Sequence, residues 1–114
     1  MKSSTESIGN RMSEAMIEVS KVFTRMPCVR YRVDGPFSGE EFREDLLVPA
    51  LEKNEKVVVD LEGCLALGSS FLDEAFAGLV RTKKFTKKEL ERKLQIKFSI
   101  QSYVDEAWKF IRSA

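Results

Sequence analysis

Two adjacent serines, Ser69 and Ser70, stand where a hydroxyl group could do chemistry in this chain of 114 residues. They follow three consecutive valines at 57–59, a run typical of a buried strand. After them, apolar residues recur at helical spacing from Phe71 to Leu79. A helix N-terminus has unpaired backbone N–H groups and the positive end of the helix dipole, so it favours a phosphate. The pair therefore indicates helix capping, which is the more ordinary interpretation, or a phosphorylation switch.

Other chemistry finds little support in the composition. The chain has no histidine, which removes Ser-His and Cys-His nucleophiles and histidine-based metal sites. Its two cysteines, Cys28 and Cys64, form no metal-ligand pattern, and we expect both to be reduced thiols. Asp73 and Glu74 are neighbours on the predicted helix and point in different directions, so they make a poor acid/base pair. We expect no enzyme activity, no metal and no cofactor.

Composition favours one domain. Hydrophobic residues make up 43% of the chain and charged residues 32%, with a net charge of +1. No apolar run approaches the ~20 residues that a membrane-spanning helix needs. The first residues, 1–7, lack the apolar region of a secretory signal, so we expect a cytoplasmic protein. We predict a flexible tail at 1–14 and a folded domain at 15–114.

The elements that must position the serines begin with a strand near 16–20, for which a helix over 11–22 is the competing interpretation. A second extended piece is predicted at 27–33, before the Asp-Gly-Pro turn at 34–36. A helix should then start after Ser38, and Pro49 should interrupt or restart it. Its start carries a capping box of Ser38 with Glu41 and a hydrophobic staple of Phe37 with Phe42.

The same pattern of helix starts recurs later in the chain. Capping boxes are predicted for Ser70 with Asp73, Thr86 with Glu89, and Ser102 with Asp105, and a staple for Phe85 with Leu90. Alternating apolar residues predict a strand at 95–100. Strands alternating with helices predict an α/β fold, a mixed or parallel sheet of about four strands with helices packed on it. No glycine pattern of a nucleotide-binding loop is present.

The stretch 60–72 resembles the signature of STAS domains, the fold of bacterial anti-sigma factor antagonists. In that family a strand ends in Asp, and a loop leads to Asp-Ser-Ser/Thr-Gly-Leu at a helix start. The resemblance implies that Ser69 is the serine phosphorylated by a partner kinase that is also the anti-sigma factor. Gly68 stands where the family has Asp, and Phe71 where it has Gly.

A second resemblance covers residues 16 to 112. The segments 30–31, 34–43, 49–51, 68–76 and 78–81 are similar to bacterial STAS-like domains of unknown function. This resemblance implies a STAS-like sandwich and a regulatory, non-enzymatic role, with a histidine-kinase-like ATPase or an anti-sigma factor as the partner. The candidate regulatory residues are Ser69 and Ser70, and the candidate partner-binding residues are Gly68, Phe71, Asp73, Arg30, Tyr31, Ser38 and Arg43.

Charge is distributed unevenly along the chain. The segment 81–97 has eight basic residues against two acidic ones, a balance of +6, whereas 38–62 has a balance of −5. A solvated helical surface is the ordinary interpretation of the basic segment. The alternatives are steering toward an acidic partner, or a nucleic-acid-binding accessory module. Arg30, Arg32 and Arg43 are a candidate anion site beside the helix that starts after Ser38.

Overall fold

A parallel β-sheet of three strands lies at the centre of the computed structural model, which describes residues 13–114. The strands β1 (Glu14–Glu18), β2 (Lys56–Asp60) and β3 (Leu94–Lys97) lie in that order, so β2 is the middle strand. Every residue of β2 after its first is buried, as its run of valines predicts for a central strand.

The expectation of about four strands is wrong for this part of the chain, where the sheet has three. The extended piece predicted at 27–33 makes only an isolated bridge, between Val29 and Ser38, and then turns into a short 3₁₀ helix at Arg32–Asp34. Its carbonyls accept hydrogen bonds from the N–H groups of Gly39 and Glu40. This piece therefore pairs with the start of a helix, whose first N–H groups need partners, and not with a strand.

The first strand is confirmed, although it begins earlier than predicted. Residues 14–18 are extended, and only Val19–Val22 (α1) are helical, so the competing helix over 11–22 is wrong in its described part. The predicted tail at 1–14 lies outside the described residues except for its last two. Ser13 accepts hydrogen bonds from the N–H groups of Glu55 and Lys56, which ties this end to the sheet.

Four further helices follow α1. Helix α2 covers 39–53 and contains a π-helical turn, Arg43–Leu47, between Gly39–Phe42 and Val48–Lys53. Helix α3 covers 69–81 and has the same construction, with its π-helical turn at Asp73–Ala77 between Ser69–Leu72 and Gly78–Arg81. Helices α4 (Lys87–Lys93) and α5 (Gln101–Ser113) complete the fold.

Pro49 lies within α2 and does not end it. Proline has no N–H to donate to the carbonyl of Asp45, one helical turn back. The helix takes its wider π-helical form over Arg43–Leu47 and continues through Pro49 to Lys53. The helix is therefore not interrupted at Pro49, and the π-helical turn does not require the proline, because α3 contains such a turn without one.

Two of the four predicted helix starts are confirmed. The Ser38 hydroxyl accepts from the Glu41 N–H at 3.0 Å, although the Glu41 carboxylate accepts from Phe37 and not from Ser38. Thr86 and Glu89 form the full reciprocal capping box, at 3.1 and 2.8 Å.

The other two capping boxes are wrong. Helix α3 begins at Ser69 with Gly68 as its N-cap, and α5 begins at Gln101 with Ile100 as its N-cap. Each helix thus starts two residues earlier than predicted, so Ser70 and Ser102 lie inside the first turn, where their hydroxyls no longer occupy the capping position.

The apolar core lies between the sheet and the helices. Val57 and Val59 of β2 belong to it, flanked by Ile17 of β1 and Ile96 of β3, and the large side chains of α2 and α3 fill it. The centroids of the Phe42 and Phe71 rings are 5.7 Å apart. None of the helices within residues 13–114 has the length and apolar character needed to cross a bilayer.

Helices α2 and α3 approach each other closely at Gly39. A Cβ atom on Gly39 would lie 2.8 Å from the carbonyl oxygen of Phe71, closer than a side chain allows. Glycine at this position therefore brings the first turn of α2 against the first turn of α3, and so fixes how the start of α3 is presented.

Candidate functional site

The serine turn (Gly68, Ser69 and Ser70) lies where the chain enters α3 after leaving the carboxyl end of the central strand. Ser69 is the first helical residue and its side chain is exposed, while Ser70 is half-buried. Neither serine provides a side-chain cap. The capping interpretation, which the sequence favoured, therefore does not account for either hydroxyl.

Two loops running side by side support the serine turn. We call the segments 24–28 and 64–68 the paired loops. The N–H of Leu65 donates to the Arg25 carbonyl at 2.7 Å, and the N–H of Gly68 donates to the Pro27 carbonyl at 2.9 Å. A Cβ on Gly68 would lie 3.1 Å from Cα and Cβ of Cys28. The paired loops therefore leave little room for the aspartate that STAS antagonists have at this position.

The paired loops that support the serine turn carry exposed apolar side chains. Met26 is 56% exposed and Leu65 is 74% exposed, one on each of the paired loops. We call these two residues the apolar rim. Both belong to loops held by backbone hydrogen bonds, so their exposure is a property of an ordered surface.

An ionic network lies one turn further along α3, around Asp73. Its carboxylate accepts hydrogen bonds from Arg30 at 2.7 Å and from Arg81 at 3.0 Å. Partial burial opposes ionisation of Asp73, but the hydrogen bonds from the two arginines outweigh it and hold the pKa of this carboxyl below its usual value. The loop that carries Arg30 is thereby attached to α3.

A buried ion pair joins the two π-helical turns. Arg43, at the start of the turn in α2, donates at 2.7 Å to the carboxylate of Glu74 and at 2.7 Å to its backbone carbonyl. Arg43 is 3% exposed and Glu74 is 8% exposed. Arg43 therefore ties the π-helical turn of α2 to both the side chain and the backbone of the π-helical turn of α3.

The predicted anion site is wrong. Arg30 is paired with Asp73, Arg43 with Glu74, and Arg32 with Asp45 at 2.7 Å. The guanidinium groups that the sequence suggested for an anion are therefore already bound to carboxylates of the chain.

Burial also corrects part of the predicted contact set. Ser38 and Phe71 have no exposed surface, and Arg43 has almost none, so these three side chains support the site from inside. Tyr31 is 44% exposed, whereas Arg30, Gly68 and Asp73 are half-buried. These four residues, Tyr31, Arg30, Gly68 and Asp73, remain predicted partner contacts, and Ser69 and Ser70 remain predicted regulatory residues.

The two cysteines differ in their surroundings. Both are free, Cys28 exposed and Cys64 half-buried against the core. Burial, with a contribution from the charge of Asp60, raises the pKa of the Cys64 thiol to about 11. Cys64 is therefore a protonated, poorly nucleophilic packing residue. Within residues 13–114, no three His, Cys, Asp or Glu side chains are grouped so that they could hold a metal ion.

Sequence reasoning missed both the apolar rim and the network around Asp73. Met26 and Leu65 are single apolar residues in loops, with no periodicity that would set them apart. Arg30 and Asp73 are 43 positions apart, so only the folded chain shows that they pair. The one local signal of the network is the spacing of Asp73 and Arg81, which lie two helical turns apart on α3.

Comparison with known proteins assigns the chain to a family. A family model described as a STAS-like domain of unknown function (DUF4325) matches residues 38–104. No curated protein and no solved structure matches the chain. The matched region contains α2, β2, the serine turn, α3 and β3, whereas the first of the paired loops precedes it. The chain therefore belongs to the family of STAS-like domains of unknown function, as its sequence resemblance predicted.

Proposed function

We propose that this STAS-like domain is a regulatory protein-interaction module without a catalytic step of its own, and that its partner binds the serine turn and the apolar rim. One observation carries the proposal. Ser69 is exposed, and the paired loops, which hydrogen bonds join at Gly68 just before it, carry two exposed apolar side chains, Met26 and Leu65. A modifiable hydroxyl group on the same ordered loops as exposed apolar side chains suits reversible recognition of a protein.

Phosphorylation of Ser69 is the switch that we propose for this surface. A phosphate would add a charge of about −1.5 to −2 at the first turn of α3, where backbone N–H groups and the helix dipole favour an anion. Asp73, one turn away, would repel it. That carboxylate is already compensated by Arg30 and Arg81, which reduces the repulsion. By family resemblance, the proposed partner is a histidine-kinase-like ATPase or an anti-sigma factor.

The interaction is tested by affinity capture from cells of the source organism with the double variant Met26→Ser and Leu65→Ser. Loss of two anchoring apolar side chains should reduce capture of the partner about tenfold or more. The control double variant, Met16→Ser and Ile100→Ser, removes a methionine and an aliphatic residue that are 53% and 51% exposed elsewhere. Quantitative mass spectrometry should show the partner with the wild type and the control. Equal capture by both double variants would refute the proposed surface.

The switch is tested separately by the intact mass of the chain purified from the same cells under signalling and resting conditions. A fraction of the wild-type chain should gain about 80 Da, the mass of one phosphoryl group. The Ser69→Ala variant should lose this species and the Ser70→Ala variant should keep it. A modified species that persists in Ser69→Ala, or none under any condition, would contradict the switch while leaving the interaction test valid.

A further inference from the structure

A basic groove lies between the end of α3 and the start of α4 and includes no residue of the serine turn or the paired loops. It has a volume of about 660 Å³, and its main lining residues are Val80, Lys83, Lys84, Phe85, Lys87 and Lys88. The volume lies within the range of about 300–1,000 Å³ typical of ligand pockets in proteins.

The lysines of the groove form no salt bridge within the described chain. The four lysines are exposed, and among residues 13–114 none of them has a carboxylate within 4.0 Å. The Lys87 ammonium group donates to the backbone carbonyl of Arg112 at 2.9 Å, a contact that leaves its charge in place. Glu89, an acidic residue in the lining, points its carboxylate back to the Thr86 N–H, which caps α4, and it keeps its negative charge. An anionic ligand would thus meet four positive charges against one negative charge, a balance of +3.

The floor of the groove is apolar and formed in advance. Val80 and Phe85 are half-buried against the core. The turn between the helices is fixed because the N–H groups of Lys84 and Phe85 both donate to the Leu79 carbonyl, at 3.1 and 3.2 Å. Lys83 has a φ of 60°, the left-handed conformation that closes the turn. A ligand would therefore not have to order this segment on binding.

From these features we infer that the basic groove binds an acidic amphipathic segment of a partner protein. An apolar side chain of the segment would cover Val80 and Phe85, and carboxylates beside it would pair with the rim lysines. The apolar floor and the cationic rim of the groove are therefore complementary to a segment that carries both apolar and acidic side chains. A single-stranded nucleic acid would instead stack its bases on exposed aromatic faces, and Phe85 is partly buried against the core.

The chain's own N-terminal residues do not supply such a segment. Residues 1–12 contain Lys2 and Arg11 against the single acid Glu6, so they have no excess of negative charge. The inference is also independent of Ser69, because none of the groove residues belongs to the serine turn or the paired loops.

The test is selection from a random library of about 12-residue peptides displayed on phage, against the whole chain. Selected peptides should be acidic and carry at least one Leu, Ile or Phe. Synthetic copies measured by fluorescence anisotropy should bind the double variant Lys84→Glu and Lys88→Glu at least about tenfold more weakly, because both rim charges reverse. The variant Val80→Thr, similar in shape but with a hydroxyl in the floor, should also bind more weakly.

Matched controls separate this site from general charge effects. The double variant Lys53→Glu and Lys56→Glu makes the same charge change at exposed lysines outside the groove, and Ser69→Ala alters the serine turn; both should bind like the wild type. Peptides selected without acidic residues, no peptides selected, or equal loss with the Lys53 and Lys56 control would overturn the inference. The inference would also be overturned if a single-stranded oligonucleotide bound the groove more tightly than the peptides do. It would likewise be overturned if the chain formed a dimer that the double variant Lys84→Glu and Lys88→Glu dissociates.

Discussion

Single residues decide which parts of the site are structural and which are free to bind. Arg43 and Glu74 hold α2 and α3 together from inside, whereas Ser69 and Leu65 face solvent. The residue types did not show this division. Arginine and serine are usually exposed, but Arg43 and Ser38 are buried because each has a hydrogen-bond partner inside the fold.

Replacing Arg43 with methionine should lower the free energy of unfolding by about 3 kcal/mol, the lower end of the cost of breaking a buried ion pair. The loss leaves the buried Glu74 carboxylate with only Arg30 and Arg81, at 3.7 and 3.6 Å. The control Arg32→Met breaks an exposed, solvent-screened pair and should leave the free energy of unfolding nearly unchanged. Urea denaturation followed by circular dichroism measures both. Similar small losses for the two variants would contradict the structural role of Arg43.

At the scale of elements, sequence reasoning succeeded where the determinants are local. The valine run predicted the central strand, and Thr86 with Glu89 predicted the start of α4 because both partners lie within one turn. It failed at Ser70, because a tertiary contact sets the start of α3. The N–H of Gly68 donates to Pro27 in the other loop, so Gly68 becomes the N-cap and the helix begins at Ser69.

Alanine substitutions at the helix starts test this arrangement. Ser38→Ala and Thr86→Ala should each lower the free energy of unfolding by about 1 kcal/mol, because each removes a hydroxyl that caps a helix. Ser70→Ala should change it by at most about 0.5 kcal/mol, because Ser70 is not a cap. The three values come from one series of urea unfolding curves. A loss at Ser70 equal to that at Thr86 would restore the capping box that the sequence predicted.

At the scale of the whole molecule, the α/β class and the STAS-like family followed from the sequence, but the surface that we propose for binding did not. The three strands lie in the sheet in the same order as in the chain, which is the order that alternating strands and helices favour. The paired loops instead join residues about 40 positions apart through backbone hydrogen bonds, which carry no side-chain signature. For the same reason, the extended piece at 27–33 looked like a fourth strand although it contacts a helix start.

The central claim is that a partner protein binds the surface formed by the serine turn and the apolar rim. Its most direct test is photocrosslinking in cells of the source organism, with a photoreactive amino acid in place of Leu65 and, as the control, in place of Ile100, which is also exposed. We predict that the chain labelled at position 65 forms a discrete protein adduct that the chain labelled at position 100 does not form. Adducts that are the same at both positions, or absent at position 65, would contradict the claim.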